Sequence, residues 1–206
     1  AGRPHIIFRM AMNPQRLGYA SFRHVGPGRI NPQTGDLDFF LGRWVMHFHM
    51  MEDASRGTLV EGVVARDFGT HAFVAHNSHG VTWRQIIAHD GFKTPFWWDL
   101  FAHQPELGPK LMTNDGDYNA CIASRIRDIP DFRGRRTAGF NIQQGAGNRA
   151  VGCRAFGIQG TGNLAGGAHW PEGASNDTEP SVWDFRDFIT HNNRTGGLPG
   201  WQNTDE

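Results

Sequence analysis

Glycine and proline punctuate this chain so densely that no long helix fits between them. They number 27 and 11 among 206 residues. Proline removes a backbone donor from a helix, and glycine loses more conformational freedom on ordering than any other residue. Apolar residues make up 38%, sufficient for one core at this length, so turns and short strands must share it. The expected fold is mostly β, loop-rich and irregular: a single β-rich domain over residues 37–206, preceded by an extended arm over 1–36. In that arm Ile6-Ile7-Phe8 can form a short strand. Pro14, then Pro27 between Gly26 and Gly28, then Pro32 and Gly35 interrupt the rest. So few apolar anchors cannot order an arm by themselves. The expectation is an intertwined homo-oligomer, most simply a trimer.

The clearest strand signal lies in residues 37–75. Leu37 to Met51 is dense in apolar and aromatic side chains, and Leu59–Val64 and Phe73-Val74 add two β-rich runs. Ser55-Arg56-Gly57 suggests a hairpin turn between the first two. Alternation puts Trp44, Met46, Phe48 and Met50 on one face, and Val45, His47 and His49 on the other. Asp36 to Trp44 resembles the Gly-x-Trp opening of lipocalin-like barrels. The His-x-His pair, flanked by Gly42, Glu52 and Gly57, loosely resembles the first cupin motif. Imidazoles alternating on one strand face suit a transition metal, so His47 and His49 are the candidate ligands. A metal-dependent β-barrel enzyme, cupin-like or lipocalin-like, is the alternative reading of the chain. A second group, His71, His76, His79 and His89, spans a loop and a strand-like run. Residues 141–180 are Gly-rich with short strand pieces such as Ala155–Ile158, and the tail offers an amphipathic run, Val182–Ile189. No internal repeat is apparent.

Two short motifs frame the stretch from Trp83 to Phe140. In the first, Asp90-Gly91 is a turn dipeptide, with Gly91 expected to take a positive φ. Thr94 then caps, and Pro95 opens, a short helix near 95–104. Its apolar row of Phe96, Trp97, Leu100 and Phe101 needs cover. Adjacent helical side chains point about 100° apart, so Trp97 and Trp98 are both covered only if two bodies press on them; they are the interface candidates. In the second motif Pro130 and Gly134 shape an irregular loop in which Asp131 can clasp Arg133 or Arg135.

In this order the motifs resemble the phage tail-collar domain of short tail fibres and microcystin-dependent proteins. Asp90-Gly91 matches its turn, Trp97 with Leu100-Phe101 its helix, and Asn114-Asp115-Gly116-Asp117 its loop. Ile129-Pro130-Asp131-Phe132-Arg133-Gly134-Arg135 matches its Leu-Pro-Asp-Leu-Arg-Gly-Arg element. The departures are His89 where the family carries a cysteine, and an insertion over Tyr118–Asp128. The resemblance implies a collar-like segment at about 70–140 and a structural component of a phage or phage-like particle, a tail fibre or collar. Such a protein assembles with itself and with other virion or tail proteins and can meet a cell-surface receptor. Asp90, Gly91, Leu100, Phe101, Pro130, Asp131, Arg133, Gly134 and Arg135 would be its structural motif. Collar-type fibre tips also hold metal ions on a trimer axis through His-x-His pairs, a second use for His47 and His49.

Composition narrows the rest. Twenty basic and 20 acidic residues give a formal net charge of zero, so nothing favours nucleic acid or a membrane surface as partner. No apolar run approaches the roughly 18 residues of a membrane span. Cys121 and Cys153 form neither a disulfide framework nor a zinc motif; buried free thiols are expected, with pairing left open. A nucleophile elbow, a His-Glu-x-x-His helix and a kinase set are all missing, so the expectation is a protein that is not an enzyme, with no cofactor beyond the transition metal that His47 and His49 could hold. Ala1-Gly2 resembles the product of initiator-methionine removal, so the expected location is the virion, reached by assembly in a host cytoplasm.

Overall fold

The computed structural model describes residues 3–30, 33, 37–39, 43–97, 113–128, 137–141, 145–160, 166–169 and 183–197. Their strands come in threes. The first set is β1 (Ile6–Arg9), β2 (Arg16–Gly18) and β3 (Ser21–Arg23), followed by an antiparallel pair, β4 (Gly28–Ile30) and β5 (Leu37–Phe39). The second is β6 (Met46–Glu52), β7 (Leu59–Glu61) and β8 (Val64–Arg66), and the third β9 (Phe73–Ser78), β10 (Thr82–Arg84) and β11 (Ile87–His89). The fourth is β12 (Phe96–Trp97), β13 (Asp117–Asn119) and β14 (Ile122–Ser124). The fifth is β15 (Ala138–Asn141), β16 (Asn148–Val151) and β17 (Arg154–Phe156), and the sixth β18 (Gly166–His169), β19 (Trp183–Arg186) and β20 (Ile189–His191). Each strand pairs in parallel with its counterpart in the next set, which builds three six-stranded sheets. One set is one coil, and the coils stack as a parallel β-helix. Among the described residues no helix is long and apolar enough to cross a membrane.

Two corners in every coil hold this stack together. Between the second and third sheets the chain bends at Tyr19, Gly62, Gln85, Ala120, Gly152 and Asp187, each with φ between 51° and 64°. Five residues further on, past the third sheet, it bends at His24, Asp67, Asp90, Arg125, Gly157 and Asn192, with φ between 51° and 67°. A side chain in this left-handed region costs on the order of 1–2 kcal/mol. The bend is held because its amide stays in the ladder: Gly62 N–H donates to Arg84 O (3.0 Å), Gln85 N–H to Asn119 O (2.8 Å) and Ala120 N–H to Val151 O (2.9 Å). The second corner repeats this, with Asp67 N–H to His89 O (3.1 Å) and Asp90 N–H to Ser124 O (3.0 Å).

From one corner to the next, side chains point inward at the first, fourth, sixth and ninth positions of a nine-residue unit. In the second coil these are Val60, Val63, Ala65 and Phe68; in the fourth, Tyr118, Cys121, Ala123 and Ile126, all at 0% exposure. Inward residues then stack along the axis. In the first sheet Phe73 lies on Phe96 with ring centroids 5.5 Å apart, and Phe96 on Phe140 at 4.5 Å with the rings nearly parallel. Cys121 and Cys153 occupy the same place in neighbouring coils, both as free buried thiols.

The β-rich expectation holds, and several finer expectations do not. The fold is a regular solenoid rather than irregular, because a repeat does exist: the nine-residue unit recurs in all six coils. Residues 6–23 of the segment expected as an arm supply β1 to β3, the first coil, so Pro14 and Gly18 lie within the stack. Phe96 and Trp97 are not helical; they form β12, paired with β9 and β15, and the remainder of the expected helix lies outside the described residues. Asp53–Ser55 is a 3-10 turn leading from the first sheet to the second of one coil, so no hairpin joins β6 to β7.

The turn at Asp90-Gly91 is also assigned differently. Asp90 carries the positive φ, 54°. Gly91 is required for space: a Cβ there would run into the ring of Phe68, which fills the inward position of two coils. Gly91→Ala should lower stability by about 1–3 kcal/mol through overpacking, and Phe68→Leu in the same chain should recover part of the loss. At the other corner Ala120→Gly should raise stability by about 0.5–1 kcal/mol, because φ is +51° there. Denaturant midpoints of the variants measure all three.

Candidate metal centre

β6 and β9 lie side by side, with His47 opposite Val74 and His49 opposite His76. Met46, Phe48, Phe73 and Ala75 fill the core. The two-residue period of a strand then forces His47, His49 and His76 onto the outer face. Centroids of His47 and His49 are 4.9 Å apart, those of His49 and His76 4.7 Å, and those of His47 and His76 6.0 Å. One ring nitrogen from each lies within 4.8 Å of the other two. Zinc–nitrogen bonds of 2.0–2.1 Å in a tetrahedron separate ligand nitrogens by about 3.3 Å, so small side-chain rotations close this trio on an ion.

The expected face-sharing of His47 and His49 is thus found, and the structure adds His76, a full coil away in sequence. The other members of that second histidine group lie elsewhere. His79 Nδ1 accepts from Asn114 N–H at 3.2 Å, and His89 Nδ1 meets Ser124 Oγ at 2.8 Å. His71 sits in an aromatic wall beside the trio. Its ring is stacked on Trp97 at 4.2 Å, Trp44 meets both edge-on, and Trp44 lies 4.3 Å from the His47 ring. Trp97 therefore packs on rings of its own chain. Asp90 lies away from the trio, at its corner, facing the Arg127 guanidinium at 3.4 Å. Trp98, Leu100, Phe101, Pro130, Asp131, Arg133, Gly134 and Arg135 lie outside the described residues.

Burial favours the neutral form of His49 and His76. His76 titrates at about 4, pushed down by burial and then by His49; His49 is lowered by burial and then by the charge of Arg9. A neutral imidazole is the form that binds a metal. His47 and His76 are buried, while His49 is half-exposed, so solvent reaches the trio from the His49 side. The buried Nδ1 of His49 has no hydrogen-bond partner among the described residues, a state that costs about 1–3 kcal/mol and that a ligand would relieve. His71 is lowered to about 3, chiefly by burial, and its Nδ1–H donates to Thr94 O at 2.6 Å. No family model, curated protein or solved structure matches the chain; the donor set has to speak for itself.

Two folded-state values below the usual 6.5 fix a pH dependence. As pH falls below 6.5 the unfolded chain takes up protons that His71 and His76 refuse, so stability falls. The loss attributable to His76 reaches about 3 kcal/mol by pH 4. In metal-free protein the denaturant midpoint should therefore drop steadily from pH 7 to 4.5, and less so in His76→Gln. A flat profile would contradict the burial of these rings.

Proposed function

We propose that this protein is a metal-dependent enzyme whose centre is the trio His47, His49 and His76, mounted on the outer face of a parallel β-helix. The convergence of three imidazoles from two neighbouring coils carries the reading. Three histidines are the protein ligands of one class of catalytic zinc site, where water takes the fourth position and the ion acts as a Lewis acid and lowers the pKa of that water to about 7. Metal-assisted hydrolysis is the reaction class that this set supports best. The chemistry of the cupin-like or lipocalin-like alternative is kept without its barrel, since the sheets are parallel.

Three ligand atoms gathered within one chain favour this reading over a shared trimer axis. The competing proposal, a structural part of a phage-like particle, rests on the clasp of Asp131 with Arg133 or Arg135, for which the described residues supply no geometry. Metal content separates the readings. Purified protein should hold about one transition metal per chain, as a three-histidine site does, against one per three chains for a trimer axis. His49→Ala and His76→Ala should each abolish retention while the fold persists. Zinc at 100 times its dissociation constant should stabilise the wild type by about 2.7 kcal/mol and the variants hardly at all. Protein that neither carries nor takes up metal would end this reading.

A further inference from the structure

Arg9 stands one coil below His49 and in register with it. Phe8 turns inward and stacks on Phe48 at 5.0 Å, so Arg9 projects on the same outer face as the histidine trio. It is the only arginine or lysine in β1, β6 and β9. Several other arginines are committed to carboxylates, such as Arg84 to Glu61 and Arg149 to Asp117. Arg9 is exposed and has no ion pair among the described residues. The nearest acid on these strands, Glu52, lies past a bulge and bears on His79 rather than on His49.

A guanidinium held beside a ligand repels any cation that the ligand binds, so for metal binding alone Arg9 is a liability. Its placement makes sense once something negative bridges the two. We propose that Arg9 is the anion-recognition residue of this site, so that its substrates carry a carboxylate or phosphate about 5 Å, one strand spacing, from the atom that meets the metal. This rests on the metal-centre reading. The guanidinium fork binds either oxyanion with two parallel hydrogen bonds, and Arg9 lies on the side from which solvent reaches the trio. Arg9 thereby sets both the class of substrate and the way round in which it lies across the sheet.

The test uses the full chain loaded with cobalt(II), whose visible spectrum reports on its ligands. Acetate and inorganic phosphate are titrated in separate arms, with acetamide as the neutral control. The expected result is a spectral change with either anion and none with acetamide. Anion affinity should be at least tenfold weaker in Arg9→Gln and partly kept in Arg9→Lys. Cobalt affinity in Arg9→Gln should be unchanged or higher, an outcome that a merely structural role would not give. Equal anion affinity in wild type and Arg9→Gln overturns the proposal, as does loss of cobalt in Arg9→Gln. If wild type takes up no cobalt, the metal-centre reading falls and this one with it. Cobalt uptake without Arg9 dependence removes only the role of Arg9.

Discussion

Everything in this molecule depends on amides that keep their hydrogen bonds while the chain turns a corner. At Gln85 or Asp90 the backbone is forced into a left-handed conformation, yet its N–H still donates to the next coil at 2.8 Å and 3.0 Å. The second and third sheets therefore join without a break in pairing, and buried backbone groups that a loop would orphan stay satisfied. A strand of three residues is too short to be stable alone. In the inner coils each such strand is locked between two neighbours in register, so stability comes from the stack and not from the element.

The site follows from the same constraint. A stack with fixed strand spacing and strict in-and-out alternation leaves little freedom in where an outward side chain stands. Phe48 and Phe73 commit β6 and β9 to one register, and that register places His49 against His76. The wall of Trp44, His71 and Trp97 holds the trio from the side. Rings fixed in this way need little reorganisation to accept a ligand, which is the condition for a useful centre.

How much of this was legible in the residues depends on range. Alternation within one strand is local, so the shared face of His47 and His49 could be read directly. The contribution of His76 could not, because it depends on coil length, and the step from Leu59 to Thr82 is much shorter than that from Thr82 to Asp117. The repeat was hidden by chemistry. Its corner is Tyr19, Gln85, Ala120 or Asp187, and one inward column runs Leu17, Val60, Trp83, Tyr118, Ala150, Phe185. Identity at a position says little when several shapes fill the same space. The pattern of inward positions first, fourth, sixth and ninth was the usable signal. Asp90-Gly91 misled for a related reason: glycine suggests a backbone need, whereas here it answers the ring of Phe68.

The corners also give the rod a direction. Every corner amide points from its own coil towards the following one, from Tyr19 to Glu61 through to Gly152 to Arg186, and again from His24 to Arg66 through to Gly157 to His191. The amides between the corners point the other way, Val64 N–H to Ala20 O and Ile87 N–H to Val63 O, so the peptide dipoles largely cancel along the sheets. The direction is one of hydrogen bonding and not of charge, and a coil fits the stack in one orientation only.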